Sequence, residues 1–250
     1  MSDDRGLPRL LPAVAGPPPA DLGALMTPEL LAGLLADGDE ELAAWTLENA
    51  LGEMPRIRVY DGLVRDAMTL IGRRWVEGTW GIAEEHVASG TLLRCLERVA
   101  PSLGPERRTG PGVVLVAVSG ERHAIGLVCA AQVLAEAGWS VVSVGADEPA
   151  DDLARYVARV RPALVCVTAS TADRADAVRE TVSAIRALRA IPGDPPVVAV
   201  GGGIAADAAV VDSLGADWHG TTLADLVRHA TALRERLEAE GGVQPPDDVF

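Results

Sequence analysis

Residues 112–126 read G-V-V-L-V-A-V-S-G-E-R-H-A-I-G. Gly112 to Val118 is short, apolar throughout and rich in Val, which predicts a strand buried on both faces. A loop leaving such a strand usually carries glycines that let a phosphate approach a helix N-terminus. This loop offers Glu121 and His123 instead.

Downstream, the apolar runs V-V-S-V-G (141–145), A-L-V-C-V-T (163–168) and V-V-A-V-G (197–201) alternate with amphipathic helical stretches. A weaker strand around Ala216 to His219 precedes a last helix at about Leu223 to Glu238. Five β-α units in a row predict a flavodoxin- or Rossmann-like parallel sheet with helices on both faces, in strand order 2-1-3-4-5. Ligands of such sheets bind beyond the carboxyl ends of the strands, near the switch point between strands 1 and 3. The loops there are Gly120 to Gly126, Thr168-Ala169-Ser170 and Gly201-Gly202-Gly203. They supply an imidazole, two small hydroxyls, and glycines where the backbone can come close to something bulky. A long, partly polar ligand with a metal at one end fits that set.

Upstream the pattern is helical. Thr27-Pro28-Glu29 reads as an N-cap with Pro at the first helical position. A short helix to Ala36, a second over Asp39 to Met54 ended by Pro55, a third over Arg56 to Val76 and a fourth over Ala83 to Ala100 make a four-helix bundle. On the third helix Ile57, Tyr60, Val64, Met68, Ile71 and Trp75 step by threes and fours. On the fourth, Ile82, His86, Ser89, Leu93, Leu96 and Ala100 predict the inward face. The organisation expected is a Pro/Gly-rich tail at 1–26, the bundle at 27–103, a linker at 104–112, the α/β domain at 113–239 and a tail at 240–250.

The chain has 250 residues and a formal charge of −14, from 22 basic against 36 acidic residues. That balance opposes direct nucleic-acid binding, which needs clustered Lys and Arg. Cys95, Cys129 and Cys166 are scattered in apolar surroundings and read as buried thiols of a reducing compartment. No apolar stretch is long enough for a signal sequence or a membrane span. The expected location is the cytoplasm.

Glu121-x-His123-x-x-Gly126, Thr168-x-Ser170 and Gly201-Gly202 resemble the motifs of the cobalamin-binding domain, in order and spacing, over residues 110–238. The usual pattern there is Asp-x-His-x-x-Gly, Ser-x-Leu or Ser-x-Thr, and Gly-Gly. The resemblance implies that His123 ligates cobalt from below and that Glu121 accepts its other ring N–H. It also implies that the displaced nucleotide arm runs along the other two loops, down to Gly203. Arg122, Ala124 and Ile125 complete the first loop. In the bundle, Trp75 followed after nine residues by Glu85-His86 resembles the light-sensing, CarH-type branch of this family. There the Trp and the Glu-His pair pack around the adenosyl group of adenosylcobalamin. Light breaks the Co–C bond and the bundle moves.

Two departures stand out. CarH-type proteins begin with a MerR-type DNA-binding domain, which this sequence does not carry. The position after the Trp, a His in CarH that takes the upper cobalt site after photolysis, is Val76 here. A bis-His photoproduct then needs His86 or another group.

Each residue also has a plainer reading. His123 is an ordinary loop histidine, Gly201–Gly203 cradle a free phosphate, and Thr168 and Ser170 satisfy strand-end backbone. Trp75 is core by its stripe, His86 a satisfied core histidine, and Glu85 solvated. With the resemblance, the function expected is a non-enzymatic adenosylcobalamin photosensor. It acts as a homodimer or tetramer, signals to a separate effector protein and contacts neither nucleic acid nor membrane. Biliverdin is a second chromophore implied by stand-alone relatives, with Cys95 a remote attachment point. The alternatives are a corrinoid methyl carrier of a methyltransferase system and a cofactor-free interaction module.

Overall fold

In the computed structural model, the residues described are 26–101, 110–188 and 195–240. The expected terminal tails and most of the expected linker lie outside them.

Helix α1 (Pro28–Ala36) starts where Thr27 Oγ1 accepts the Leu30 N–H at 3.2 Å. Helix α2 (Glu40–Glu53) starts where Asp39 Oδ1 accepts the Leu42 N–H at 3.1 Å, and it stops before Pro55. Both caps satisfy an orphan donor of the first turn. The third rod is continuous but not uniform. Helix α3 (Arg56–Arg58) runs into a π-helical turn (Val59–Val64) and then into α4 (Arg65–Val76). Helix α5 (Ile82–Arg98) follows. Its buried face is Ala88, Thr91, Leu92, Cys95, Leu96 and Val99. This corrects the expected face: Ile82 and His86 are exposed, and of the six residues expected inward Leu96 is buried. Small side chains share the seam of this helix with Leu92 and Leu96, so weighting Ile82 and Leu93 rotated the reading.

The α/β half alternates β1 (Gly112–Val118), α6 (Ile125–Glu136), β2 (Ser140–Glu148), α7 (Ala150–Val160), β3 (Leu164–Thr168), α8 (Ala175–Ala187) and β4 (Val197–Gly201). A 3-10 turn (Gly203–Ala206), α9 (Ala208–Val211), β5 (Trp218–Gly220) and α10 (Leu223–Ala239) complete it. Among the described residues the strands form one parallel sheet in the order β2-β1-β3-β4-β5. All seven residues of β1 are buried. Val114, Val116 and Val118 join the core under α7 and α8, whereas Val113, Leu115 and Ala117 join the core under α6 and α10. That is why this run reads as uninterrupted Val and Leu instead of alternating with polar residues.

The bundle packs on the α6–α10 layer. Cys129 and Val133 of α6 belong to the bundle core, and Leu223 and Val227 of α10 pack against it. A polar tie adds direction. Arg56 donates to Glu136 at 2.7 Å, to Tyr60 Oη at 2.7 Å, to the Val99 carbonyl at 2.9 Å and to Gln132 Oε1 at 3.0 Å. Tyr60 Oη donates to the same Gln132 oxygen at 2.5 Å, and Gln132 Nε2 donates to the Leu96 carbonyl at 2.8 Å. Buried polar groups are tolerated when each finds a partner, as here. No helix among the described residues is long and apolar enough to cross a membrane.

Candidate cobalamin site

β1 ends at Val118, and Gly120 takes a left-handed φ of 78° that turns the chain over the sheet edge. Asp147 Oδ1 accepts the Gly120 N–H at 2.6 Å and fixes the turn. Glu121 folds inward and is 3% exposed. Its Oε1 accepts the His123 backbone N–H at 2.8 Å, and its Oε2 accepts the Ser170 N–H at 2.6 Å. His123 Nδ1 lies 2.5 Å from Glu121 Oε1 and 3.0 Å from Ser170 Oγ. Burial alone would push the Glu121 carboxyl up. The His123 and Ser170 donors outweigh it and hold that group down at about 2.

A carboxylate can only accept, so this contact assigns the ring proton to Nδ1. Nε2 is left with its lone pair, on a side chain 77% exposed. A fixed tautomer with a free, accessible nitrogen is the arrangement of a metal-ligating histidine with its orienting carboxylate. Ser170 thus acts twice on the histidine, through its backbone N–H on Glu121 and its hydroxyl beside Nδ1. The expected role along the nucleotide arm accounted for neither contact.

His123 stands at the mouth of a cavity of about 860 Å³ between the bundle and the sheet. The cavity runs past Thr168 and Gly201–Gly203 to Thr221–Leu223 at the start of α10. Its deep wall is the sheet face at Leu115, Cys166, Ala199 and Trp218, and its other walls are α6, α10 and α4. Small residues carve it. A Cβ placed on Gly126 would meet nothing within 4 Å, so it would point into open space. Ile125 also lines the slot, while Ala124 is the N-cap of α6. Arg122 faces a second, shallower recess of about 430 Å³ with Gly120, Thr171 and Arg174.

The glycine loop, which lines the slot, also has a packing cause that the sequence did not suggest. A Cβ on Gly203 would sit 2.1 Å from the Ser170 carbonyl oxygen. One on Gly202, whose φ is 89°, would sit 2.4 Å from the Ala169 oxygen. These glycines let the loop after β4 lie against the loop after β3, and Thr168 Oγ1 donates to the Gly201 carbonyl at 3.3 Å. The loops hold each other first, and the slot is what they leave.

The bundle residues fall elsewhere. Asp61 of the π-helical turn and Arg65, Met68 and Gly72 of α4 line the cavity, stepping by threes and fours. Trp75 and Val76 are the next positions on that stripe, beyond the rim, 51% and 77% exposed. Trp75 is therefore not a core residue. Glu85 accepts from Ser89 Oγ at 2.8 Å and lies 3.6 Å from His86 Nε2, and the His86 side chain is 71% exposed. The satisfied core histidine is excluded by that exposure. Cys95 is buried against the Glu40 carbonyl, and burial pushes its thiol up to about 11. It offers no open attachment point. Cys129 and Cys166 are buried as expected, but both also line the slot, with thiols pushed up to about 12 by burial. Asp61 is the residue the sequence did not bring forward; it lies next to Tyr60, off the apolar stripe, where an acidic side chain gives no signal.

Known proteins resemble this chain in sequence or in fold. The CarH transcriptional repressor of Myxococcus xanthus, an HTH-type protein, is 30% identical over 179 residues, 70% of this chain and 58% of that protein. This chain thus spans little more than half of that relative's length. Trimethylamine corrinoid protein 1 of Methanosarcina acetivorans is 24% identical over 80% of this chain and 93% of its own. The monomethylamine corrinoid protein of Methanosarcina barkeri superposes with a TM-score of 0.66 at 15% identity, over 81% of this chain and 96% of its own. Its N-terminal helices and five-stranded parallel sheet are the same fold. Residues 29–99 and 111–227 each match a family model described as a B12 binding domain, and with both halves present the chain belongs to the B12-binding proteins.

Proposed function

We propose that this protein is an adenosylcobalamin-dependent light sensor, with the cofactor held base-off between the bundle and the sheet. The observation that carries the cofactor part is His123. Glu121 holds its Nδ1 and its Nε2 is left free at the mouth of a slot walled by small residues. His123 would hold the cobalt, Glu121 and Ser170 would orient it, and the slot would take the nucleotide arm. Bound adenosylcobalamin supplies a cobalt–carbon bond that light breaks. Trp75 continues the cavity-facing stripe beyond the rim and Glu85 is braced by Ser89, and both observations support a role on the adenosyl side. Loss of those contacts would bias the bundle or an oligomer contact, dimer or tetramer, and the signal would pass to a separate effector. Biliverdin, as a second pigment, would be held without a thioether, because all three thiols are buried.

A methyl carrier is the second reading, and one observation favours it. Trp75 and His86 are exposed, which leaves the upper side open to a partner enzyme.

The test is a dark incubation with adenosylcobalamin, removal of free cofactor, and absorption spectra before and after green light. Conversion to a stable protein-bound product, with His123→Ala losing the histidine-ligated spectrum, supports the sensor. Binding without any photochemistry beyond that of free cofactor, and equal retention of methylcobalamin, supports the carrier.

A further inference from the structure

Asp61 belongs to the π-helical turn of the bundle, yet its carboxylate bonds the other half of the molecule. Oδ1 accepts the Leu223 N–H at 2.9 Å and Oδ2 accepts the Ala224 N–H at 2.9 Å. Arg65 braces it, donating to Oδ1 at 2.5 Å and to the Thr221 carbonyl at 3.2 Å. Leu223 and Ala224 open α10, a helix of 17 residues. The first N–H groups of a helix lack partners inside it and form its positive end. The Thr222 hydroxyl accepts the Asp225 N–H at 3.0 Å. Asp61 takes the two donors that Thr222 leaves. Caps are normally local, whereas this one comes from 162 residues upstream. The π turn adds a residue to the helical path at this point.

The position matters as much as the bonds. Asp61, Arg65, Thr221 and Leu223 all line the slot. They do so at the β5 end, three strands across from the β1 end that holds His123. At about 4.8 Å per strand the two ends are on the order of 14 Å apart.

We infer that Asp61 is a latch between the two halves, a positioning residue that fixes the far wall of the slot and so retains the nucleotide-bearing end of the cofactor. This rests on the cobalamin reading of the slot. With the latch open, the N-terminus of α10 and α4 part, and the arm of the ligand loses one side of its enclosure while the cobalt end is untouched.

The experiment has two arms, on wild type, Asp61→Ala and Asp61→Asn. In ligand-free protein, amide exchange is followed for Leu223 and Ala224. Asp61→Ala should speed it at least tenfold and Asp61→Asn less, since the amide keeps one acceptor oxygen. In the second arm, release of hydroxocobalamin is compared with release of cobinamide, which lacks the nucleotide arm. Asp61→Ala should release cobalamin at least tenfold faster and cobinamide within twofold of wild type. The latch is overturned by unchanged exchange, by equal acceleration for both corrinoids, or by slower cobalamin release, which would make Asp61 a competitor of the ligand's phosphate. If wild type binds neither corrinoid, the cobalamin reading fails, and with it the retention role; the exchange arm still decides whether Asp61 joins the halves.

Discussion

Replacing Glu121 by Gln should separate the charge of this carboxylate from its shape. In the folded protein the group is held at about 2, against an ordinary value of 4.5. A lowered value means that the ionised form is preferred in the native state, so its stabilisation is present above pH 4.5 and fades as pH falls towards 2. That preference corresponds to about 3 kcal/mol at pH 7 and, by the same linkage, about 1 kcal/mol at pH 3. The amide of Gln cannot accept on both sides. One of its ends would present a donor to the Ser170 N–H or the His123 N–H, leaving a buried conflict. Glu121→Gln should therefore cost about 3 kcal/mol at pH 7, and the gap to wild type should narrow by about 2 kcal/mol at pH 3. Urea melts of both proteins at the two pH values, clear of the isoelectric point near 4.7, measure the gap. A gap that is the same at both pH values, or below about 0.5 kcal/mol at pH 7, would refute the claim that ionisation of Glu121 holds this loop.

Gly203→Ala should destabilise by about 1–3 kcal/mol in a thermal melt, because its Cβ would collide with the Ser170 carbonyl oxygen. Gly126→Ala should leave stability unchanged or raise it by up to about 1 kcal/mol, since it adds a helix former in open space, and yet weaken cobalamin binding by narrowing the slot. His123→Ala should cost about 1–2 kcal/mol, since Glu121 keeps its two backbone donors and loses the ring N–H, while the bound corrinoid spectrum changes. Leu92→Ala, at a fully buried seam position of α5, should cost about 2–5 kcal/mol by urea melt.

The strands and their order were legible because β1 is buried on both faces and leaves no polar position to confuse the period. The caps at Thr27 and Asp39 were legible for an equally local reason: the capping side chain sits next to the turn it caps. His123 and Glu121 were legible as a spacing, and the structure adds Ser170, which no local pattern ties to them. The inward face of α5 was misread because Ala88, Thr91 and Cys95 share its seam with Leu92 and Leu96, and burial of such small residues depends on how closely neighbouring helices approach. Asp61 was invisible for the opposite reason. A cap supplied across the fold has no signature near the helix it caps.

The tie formed by Arg56, Tyr60, Gln132 and Glu136 bears on how this molecule is inherited and divided. The two family matches, 29–99 and 111–227, draw a border along the sequence, but the packing does not respect it. Cys129 and Val133 are core residues of the first region although the chain places them in the second. Expressed alone, the α/β half would expose that apolar face and leave Gln132 without its partners. The bundle alone would take from Arg56 its contacts with Glu136 and Gln132, leaving those with Tyr60 and the Val99 carbonyl. The modules are therefore joined as two halves of one folding unit, and separately made fragments should recover their structure by finding each other.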